Sequence, residues 1–344
     1  MPCFAALDVS QKTTAICVVD DAGTIIAEKT VVTCPEVITS FLTDAAPELL
    51  RVGLETGPLA VWLWNELASR RLPVLCIDAR NANAALKMRP VKTDRNDAAG
   101  LAQIMRVGWF KQVRIKSRDC YQVRSLLAAR ETLVRIRVKI ENELRGLLRT
   151  FGVLFGKRVG GFTRRAREII SGELDASPEM RIIAETLMKA RASVCDQIKV
   201  MDTRLGAIAR ESPTAKLLMT APGVGIITAL SVVSAFDDAS RFKKSSSAGA
   251  YLGLTPRRYE SGETSRNGRI SKQGDKMVRK HLYEAATTLL TRNLRSSHLK
   301  TWGLKLAKVS GFKKARIAVA RKLAVILHAM WKTNTSFRWD QSAA

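Results

Sequence analysis

Histidine is almost missing from this chain: its 344 residues hold only His281, His298 and His328. Cysteine is sparse too, and Cys3, Cys17, Cys34, Cys76, Cys120 and Cys195 are scattered without one CxxC pair. A zinc centre needs clustered thiolates and imidazoles, so neither residue type supports one, and the cysteines read as reduced, structural and cytosolic. Long apolar runs are also lacking. Asp, Lys or Arg interrupts each hydrophobic stretch well before a membrane span accumulates, and no signal peptide is legible. The expected protein is cytoplasmic, with no membrane partner. No low-complexity tract occurs, and 46% hydrophobic with 26% charged residues fits one large globular domain or two of ordinary size.

Acids are scarce relative to bases, 31 against 57, for a formal net charge of +26. The distribution says more than the sum. Residues 1–100 hold 10 Lys and Arg against 12 Asp and Glu, a net of −2. Residues 101–200 reach +11 and residues 201–344 reach +17. A basic surface concentrates a polyanion through long-range attraction and counterion release. The near-neutral first hundred residues therefore have some task other than adhering to phosphate.

Periodicity divides the chain. Residues 4–10, FAALDVS, read as a buried strand, and AICVVDDAGTIIAEKTVV as a hairpin turning at Asp20, Asp21, Ala22 and Gly23. Residues 34–50 read as a helix, 51–56 as a strand, LAVWLWNELASR as a helix, 72–78 as a fifth strand and 94–107 as a helix. Three sequential antiparallel strands followed by strands alternating with helices predict a mixed sheet covered by helices. In the middle, Leu126, Leu133, Ile140 and Leu147 recur every seven residues, accompanied by Leu127, Val134, Leu144 and Leu148, and Met180 to Ile208 continues at three- and four-residue spacing. Both runs predict long helices with one apolar stripe, able to pair within a chain or between chains. GKRVGGFTRRAR between them reads as a loop on nucleic acid. From 213 onward the pattern predicts a compact, mainly helical domain with Gly-rich turns at 222–225 and 253–275, ending in one amphipathic helix. Core packing explains His328 and Trp331, whereas Trp302 suits either base stacking or burial.

Four carboxylates fall where strand ends and a helix start would converge. Asp8 follows Ala5, Ala6 and Leu7, Glu55 follows Val52, Gly53 and Leu54, and Asp94 and Asp97 share one helical face. Crowded carboxylates raise one another's pKa unless cations neutralise them, and magnesium is the hard ion that prefers oxygen donors. The plainer explanations are turn and cap roles, including Thr93 as an N-cap. Asp20 and Asp21 fit the hairpin turn, and Asp78 is a further candidate ligand. In the basic half, Pro222-Gly223-Val224-Gly225 resembles the hairpin of helix-hairpin-helix elements, where backbone N–H groups at Gly223 and Gly225 can approach a phosphate, or it is an ordinary tight turn. Residues 250–286 gather Arg257, Arg258, Arg266, Arg269, Lys272 and Lys276 around Ser261, Thr264, Ser265 and Ser271. Such cations hold phosphate oxygens, and a serine beside Gly262 has the access a nucleophile needs, though on the residues alone a turn role explains Ser261 better.

LDVSQKTT, GLETGP, RPVKTDRNDAAGLA, TAPGVGIITA, AYLGLTPRRYESGETSRNGRISKQGD and ARIAVARKLAVILHAMW stand in one order along nearly the whole chain. In this set the sequence resembles the DEDD-type transposases of bacterial insertion sequences, relatives of the pilin-gene invertase. The resemblance implies an α/β RNase H/RuvC-like N-terminal domain (1–115), a long helical, coiled-coil-like middle that dimerises and binds nucleic acid (116–211), and a mainly α serine-containing domain (212–344). It places the catalytic, magnesium-binding tetrad on Asp8, Glu55, Asp94 and Asp97 and the nucleophile on Ser261, with Ser265 and Ser271 as alternatives. It further implies double-stranded DNA partners (element ends and target), an element-encoded non-coding guide RNA, dimers assembling into tetramers, and a bacterial cytoplasmic location. The competing expectations are a RuvC-type magnesium-dependent nuclease using water and a non-enzymatic nucleic-acid scaffold.

Overall fold

The computed structural model describes residues 1–87, 91–156, 160–293 and 295–339. The chain divides into two compact units, Met1–Lys116 and Ser117–Ala344.

In the first unit, β1 (Cys3–Val9), β2 (Thr13–Val19) and β3 (Ile25–Val32) are antiparallel neighbours. After α1 (Pro35–Ala45), β4 (Leu49–Glu55) pairs parallel to β1, and after α2 (Ala60–Ser69), β5 (Val74–Ile77) pairs parallel to β4. The sheet order β3-β2-β1-β4-β5 makes this the mixed α/β domain of the RNase H/RuvC-like type. Two further helices follow, α3 (Ala79–Leu86) and α4 (Asp94–Val107). The central strands are apolar on both faces because both are covered. Leu7, Ile16 and Leu54 meet Ile38 and Leu42 of α1 and Leu63 of α2 on one face. On the other, Phe4, Ala6 and Cys17 meet Ala98, Leu101 and Met105 of α4. The helix expected over 34–50 ends at Ala45, and β4 starts at Leu49. α3 has no apolar stripe of its own, burying only Ala82, which is why periodicity did not signal it.

The second unit opens with α5 (Arg118–Arg149), then α6 (Gly161–Ser171) and α7 (Pro178–Glu211). α5 and α7 pair with each other, antiparallel, through Leu127 near Leu205 at one end, Arg130–Asp202, Glu141–Arg191 at 2.8 Å, and Leu148 with Met180 at the other end. Of the expected stripe on α5, it is the companions of the seven-residue series that are buried. Leu127, Leu144 and Leu148 are buried, whereas Leu147 is 41% exposed. A straight helix drifts by about 20° per heptad, which carries such a series off the seam. GKRVGGFTRRAR is not a loop throughout. Residues 161–167 form the start of α6, whose Phe162, Ala166 and Ile169 close the apolar end of the hairpin; residues 157–159 lie outside the described set.

The other end of α5 and α7 shares one core with α8 (Pro213–Met219), α9 (Ile226–Phe236), α10 (Ser246–Tyr251), α11 (Lys276–Thr291), α12 (His298–Ser310) and α13 (Phe312–Thr333). Between α10 and α11 the Gly-rich segment is not a series of turns but an antiparallel ribbon, β6 (Pro256–Ser261) and β7 (Thr264–Ile270). His328 is buried, its ring nitrogens bonded to Ser245 Oγ and the Ala239 carbonyl, both at 2.9 Å, and Trp331 packs on the same core. Among the described residues no helix is long and apolar enough to cross a membrane.

Candidate active site

Strand alternation decides where the first two acids point. Leu7 and Leu54 are register partners on the face covered by α1 and α2. Asp8 and Glu55 each stand one residue further, so both turn to the α4 face at the carboxyl ends of adjacent parallel strands. Their cross-strand partners agree: Asp8 pairs with Ala15 and Glu55 with Ile77, both buried under α4. Asp8 and Glu55 also line one cleft of about 480 Å³.

α4 brings the second pair. Its N-cap Thr93 accepts the Asn96 N–H at 3.1 Å, and Asp94 and Asp97 lie in its first turn, where the helix dipole favours anions. Arg95 pairs with Glu28 of β3, Gln103 Nε2 donates to the Gly23 carbonyl at 2.7 Å, and Arg106 donates to the Asp21 carbonyl at 3.1 Å. These bonds fix α4 across the sheet at both ends.

The charges of these acids act on the two strand-end carboxyls. Half-burial, and then the charges of Asp94 and Asp97, push the Asp8 carboxyl above its ordinary value, while Lys92 opposes the rise. Burial, and then Asp8 and Asp97, push Glu55 up to about 7, again against Lys92. Asn83 of α3 reaches Glu55 Oε2 at 3.5 Å. Neither Lys92 nor Asn83 was singled out in sequence; only the short spacing of Lys92 from Asp94 hinted at the former. Asp78 instead caps α3, its Oδ1 accepting the Arg80 N–H at 2.9 Å, and Asp20 Oδ1 accepts the Thr24 N–H at 2.8 Å in the hairpin turn. Among the described residues no group of three or more His, Cys, Asp or Glu is gathered tightly enough to hold a metal ion as it stands. The donor chemistry is nonetheless that of a hard divalent cation: carboxylate oxygens only, destabilised by one another's charge.

Ser261 ends β6, pairs with Thr264 across the two-residue loop Gly262-Glu263, and is exposed. Gly262 has φ +53 with open space around it, a conformation that the missing Cβ permits. Of the alternative hydroxyls, Ser265 Oγ donates to Glu260 at 3.0 Å, and Ser271 lies beyond β7, its backbone N–H on the Thr255 carbonyl at 2.8 Å. On the same ribbon Arg258 pairs with Glu260 at 2.6 Å, Arg266 lies over the Tyr259 ring at 5.8 Å, and Arg257 Nη2 reaches the Ser271 carbonyl at 3.4 Å. Arg269 and Lys272 stand at its root, and Lys276 opens α11.

The glycine turn joins α8 to α9. Gly223 has φ +79, and a Cβ there would lie 2.4 Å from the Ala285 carbonyl oxygen of α11, so packing alone requires glycine. Gly225 caps α9 and faces open space. The structure therefore separates two residues that the motif had grouped.

A mixed sheet of this order, followed by a basic helical unit, places the chain in the RuvC-like class. Comparison with known proteins gives the particular family. A DEDD-type IS110 transposase model matches residues 5–152, and the model described as the IS116/IS110/IS902 transposase family matches residues 215–300. The chain is 27% identical over 334 residues to the transposase for insertion sequence element IS1111A of Coxiella burnetii, covering 96% of this chain and 90% of that one. It is 29% identical over 220 residues to the transposase for insertion sequence element IS1328 of Yersinia enterocolitica, covering 62% of this chain and 65% of that one. A relative from Sinorhizobium fredii is 31% identical over 260 residues, 74% of this chain and 66% of its own. The chain belongs to the IS110/IS1111 family of DEDD-type transposases.

Proposed function

We propose that this transposase cleaves and rejoins DNA at insertion-element ends and target through a magnesium-binding tetrad, Asp8, Glu55, Asp94 and Asp97, and the nucleophile Ser261. The observation that supports this reading is that Asp8 and Glu55, at neighbouring strand ends on the face that α4 covers, are both held above their ordinary carboxylate range, Asp8 by burial and by Asp94 and Asp97, Glu55 by burial and by Asp8 and Asp97. Bound there, Mg²⁺ supplies a Lewis acid for the reacting phosphate. The chain's own residues do the rest. Arg257, Arg258, Arg266, Arg269, Lys272 and Lys276 hold phosphate oxygens, and the exposed Ser261 Oγ attacks phosphorus as the bond to the departing strand breaks. The phosphoserine linkage stores the phosphodiester for rejoining. Gly225 at the start of α9 contributes a backbone phosphate contact, and Gly223 holds that turn in place.

The same reading assigns residues 1–115 to metal-dependent catalysis, 116–211 to dimerisation and nucleic-acid binding, and 212–344 to the serine chemistry. A homodimer assembles into a tetramer. An element-encoded non-coding RNA guides it to DNA in the bacterial cytoplasm, and the surplus charge of residues 101–344 supports such a polyanionic partner. The test is denaturing electrophoresis of labelled element-end DNA incubated with protein, element-derived RNA and Mg²⁺. Wild-type protein is expected to form a covalent adduct that D97A and S261A lose. Free 3′-hydroxyl ends produced undiminished by S261A would make it a water-using nuclease, and salt-sensitive binding without Mg²⁺-dependent chemistry would make it a scaffold.

A further inference from the structure

A cleft of about 800 Å³ opens where the root of the β6–β7 ribbon meets α12 and α13. Its walls combine two chemistries. Leu254, Ile270, Ile317, Val325 and the Trp302 ring give it an apolar lining, while Arg269, Lys272, Lys314, Arg321 and Lys322 stand around it as exposed cations. Among the described residues no acid lines the cleft, and neither α12 nor α13 contains a single Asp or Glu. None of the five cations forms an ion pair with a described acid, although i,i+4 pairs of that kind occur elsewhere in the chain. Lys322 Nζ lies 4.6 Å from the centre of the half-buried Trp302 ring.

We infer that this cleft receives one unpaired base of the DNA strand being cut, stacked on Trp302, with its flanking phosphates held by the surrounding cations. An aromatic, apolar lining inside a ring of Lys and Arg matches a nucleotide: a flat apolar face bearing negative charge at its edge. A paired base cannot enter such a cleft, so the occupant is extruded or unpaired. The choice of DNA rests on the proposed reading of Ser261. Pro256 of β6 and Arg269 and Ile270 of β7 line the cleft, and the ribbon then runs out to Ser261. Five residues of strand span roughly 17 Å, about five steps of a DNA strand. A strand whose phosphate meets Ser261 therefore passes the cleft within a few nucleotides. The incoming base exchanges the Lys322 cation–π contact for stacking and releases that ammonium to a phosphate. Holding a base out of the stack opens the duplex beside the cut, which strand exchange requires.

The test uses the full-length protein carrying Ser261→Ala, so that binding is read without covalent chemistry. Its probes are a duplex with one bulged 2-aminopurine, the fully paired duplex, and single-stranded RNA of the same sequence. Fluorescence anisotropy and 2-aminopurine quenching are measured at one salt concentration. The bulged duplex is expected to bind about tenfold tighter than the paired one, with quenching, a stacking contribution of ~1.4 kcal/mol. Trp302→Ala removes that preference while paired-duplex affinity changes by less than about twofold, and Trp302→Phe restores part of it. Ala318→Phe fills the cleft without touching Trp302 and is expected to act like Trp302→Ala, which keeps the result interpretable if Trp302→Ala misfolds. A preference that survives Ala318→Phe, an equal loss for bulged and paired duplexes, or a loss confined to the RNA probe would overturn the inference. Failure to form a serine adduct in the earlier experiment would leave this binding result standing, and the reverse also holds.

Discussion

Glu55 at the end of β4 stands beside Asp8 at the end of β1, and burial together with the Asp8 charge keeps the Glu55 carboxyl protonated up to about pH 7. From its ordinary value of 4.5 up to about 7, the native state holds a proton that the unfolded chain has already released. Native stability of the first unit in EDTA must therefore fall as pH rises through that window, and Asp8 adds in the same direction. E55Q removes the Glu55 share. Amide exchange of β1 and β4 in the full chain is expected to accelerate from pH 5 to 7.5 beyond the intrinsic base dependence in wild type, and less in E55Q. Mg²⁺ should restore protection at pH 7.5 in wild type only, because it binds the native carboxylates. Equal pH dependence in the two proteins would remove the charge conflict from the site.

Asp97 lies one turn before Leu101 on the buried stripe of α4, so its backbone position does not depend on its charge. D97N keeps the helix and removes a donor. Strand cleavage in Mg²⁺ is expected to fall on the order of 10²–10³-fold, the range for losing one group that stabilises transition-state charge. Filter binding to the same DNA should stay within about twofold, since phosphate contacts dominate affinity. A D97N protein that cleaves at the wild-type rate would exclude that residue.

The two glycines of the α8–α9 turn should part company experimentally. G223A forces a methyl group against the Ala285 carbonyl and strains a positive φ, costing about 1–3 kcal/mol by overpacking. Its melting temperature should drop with little specific change in DNA affinity for the folded fraction. G225A meets nothing within 4 Å and should melt as wild type, whereas G225D should weaken DNA binding most at low salt. Unchanged affinity in G225D would leave that turn with a packing role alone.

How much of this was legible beforehand depended on periodicity. The five strands follow from short apolar, β-branched runs between turn residues, α4 from apolar spacing of three and four, and the facing of Asp8 and Glu55 from a period of two beside buried Leu7 and Leu54. α3 and the start of α6 were missed because Gly, Asn and Arg suit loops as well as caps, and tertiary burial of Ala82, Phe162 and Ala166 decided the matter. The ribbon was hidden for a related reason. All of its residues from Pro256 to Arg269 are exposed, so no apolar alternation marks the strands. Trp302 was ambiguous because one side chain can be half-buried and still line a cleft.

The basic unit carries a proton switch of opposite sign. His281 of α11 is buried, its Nδ1 2.6 Å from Ser231 Oγ of α9, and the neighbouring Lys280 bonds Glu131 of α5 at 2.6 Å. Burial, opposed by the Glu131 charge, pushes the His281 imidazole down from 6.5 to about 4. Below pH 6.5 the unfolded chain takes a proton that the native core refuses, so stability falls as pH drops from 6.5 toward 4. The full effect is about 3 kcal/mol, lost progressively across that window and constant below it. NMR of the imidazole protons should find His281 still neutral at pH 5. Urea denaturation of the second unit should show a weaker acid dependence in H281Q than in wild type, whatever the absolute stability of the variant. An imidazole that titrates near 6.5 would mean that the α9–α11 junction admits water, and the expected acid sensitivity would vanish with it.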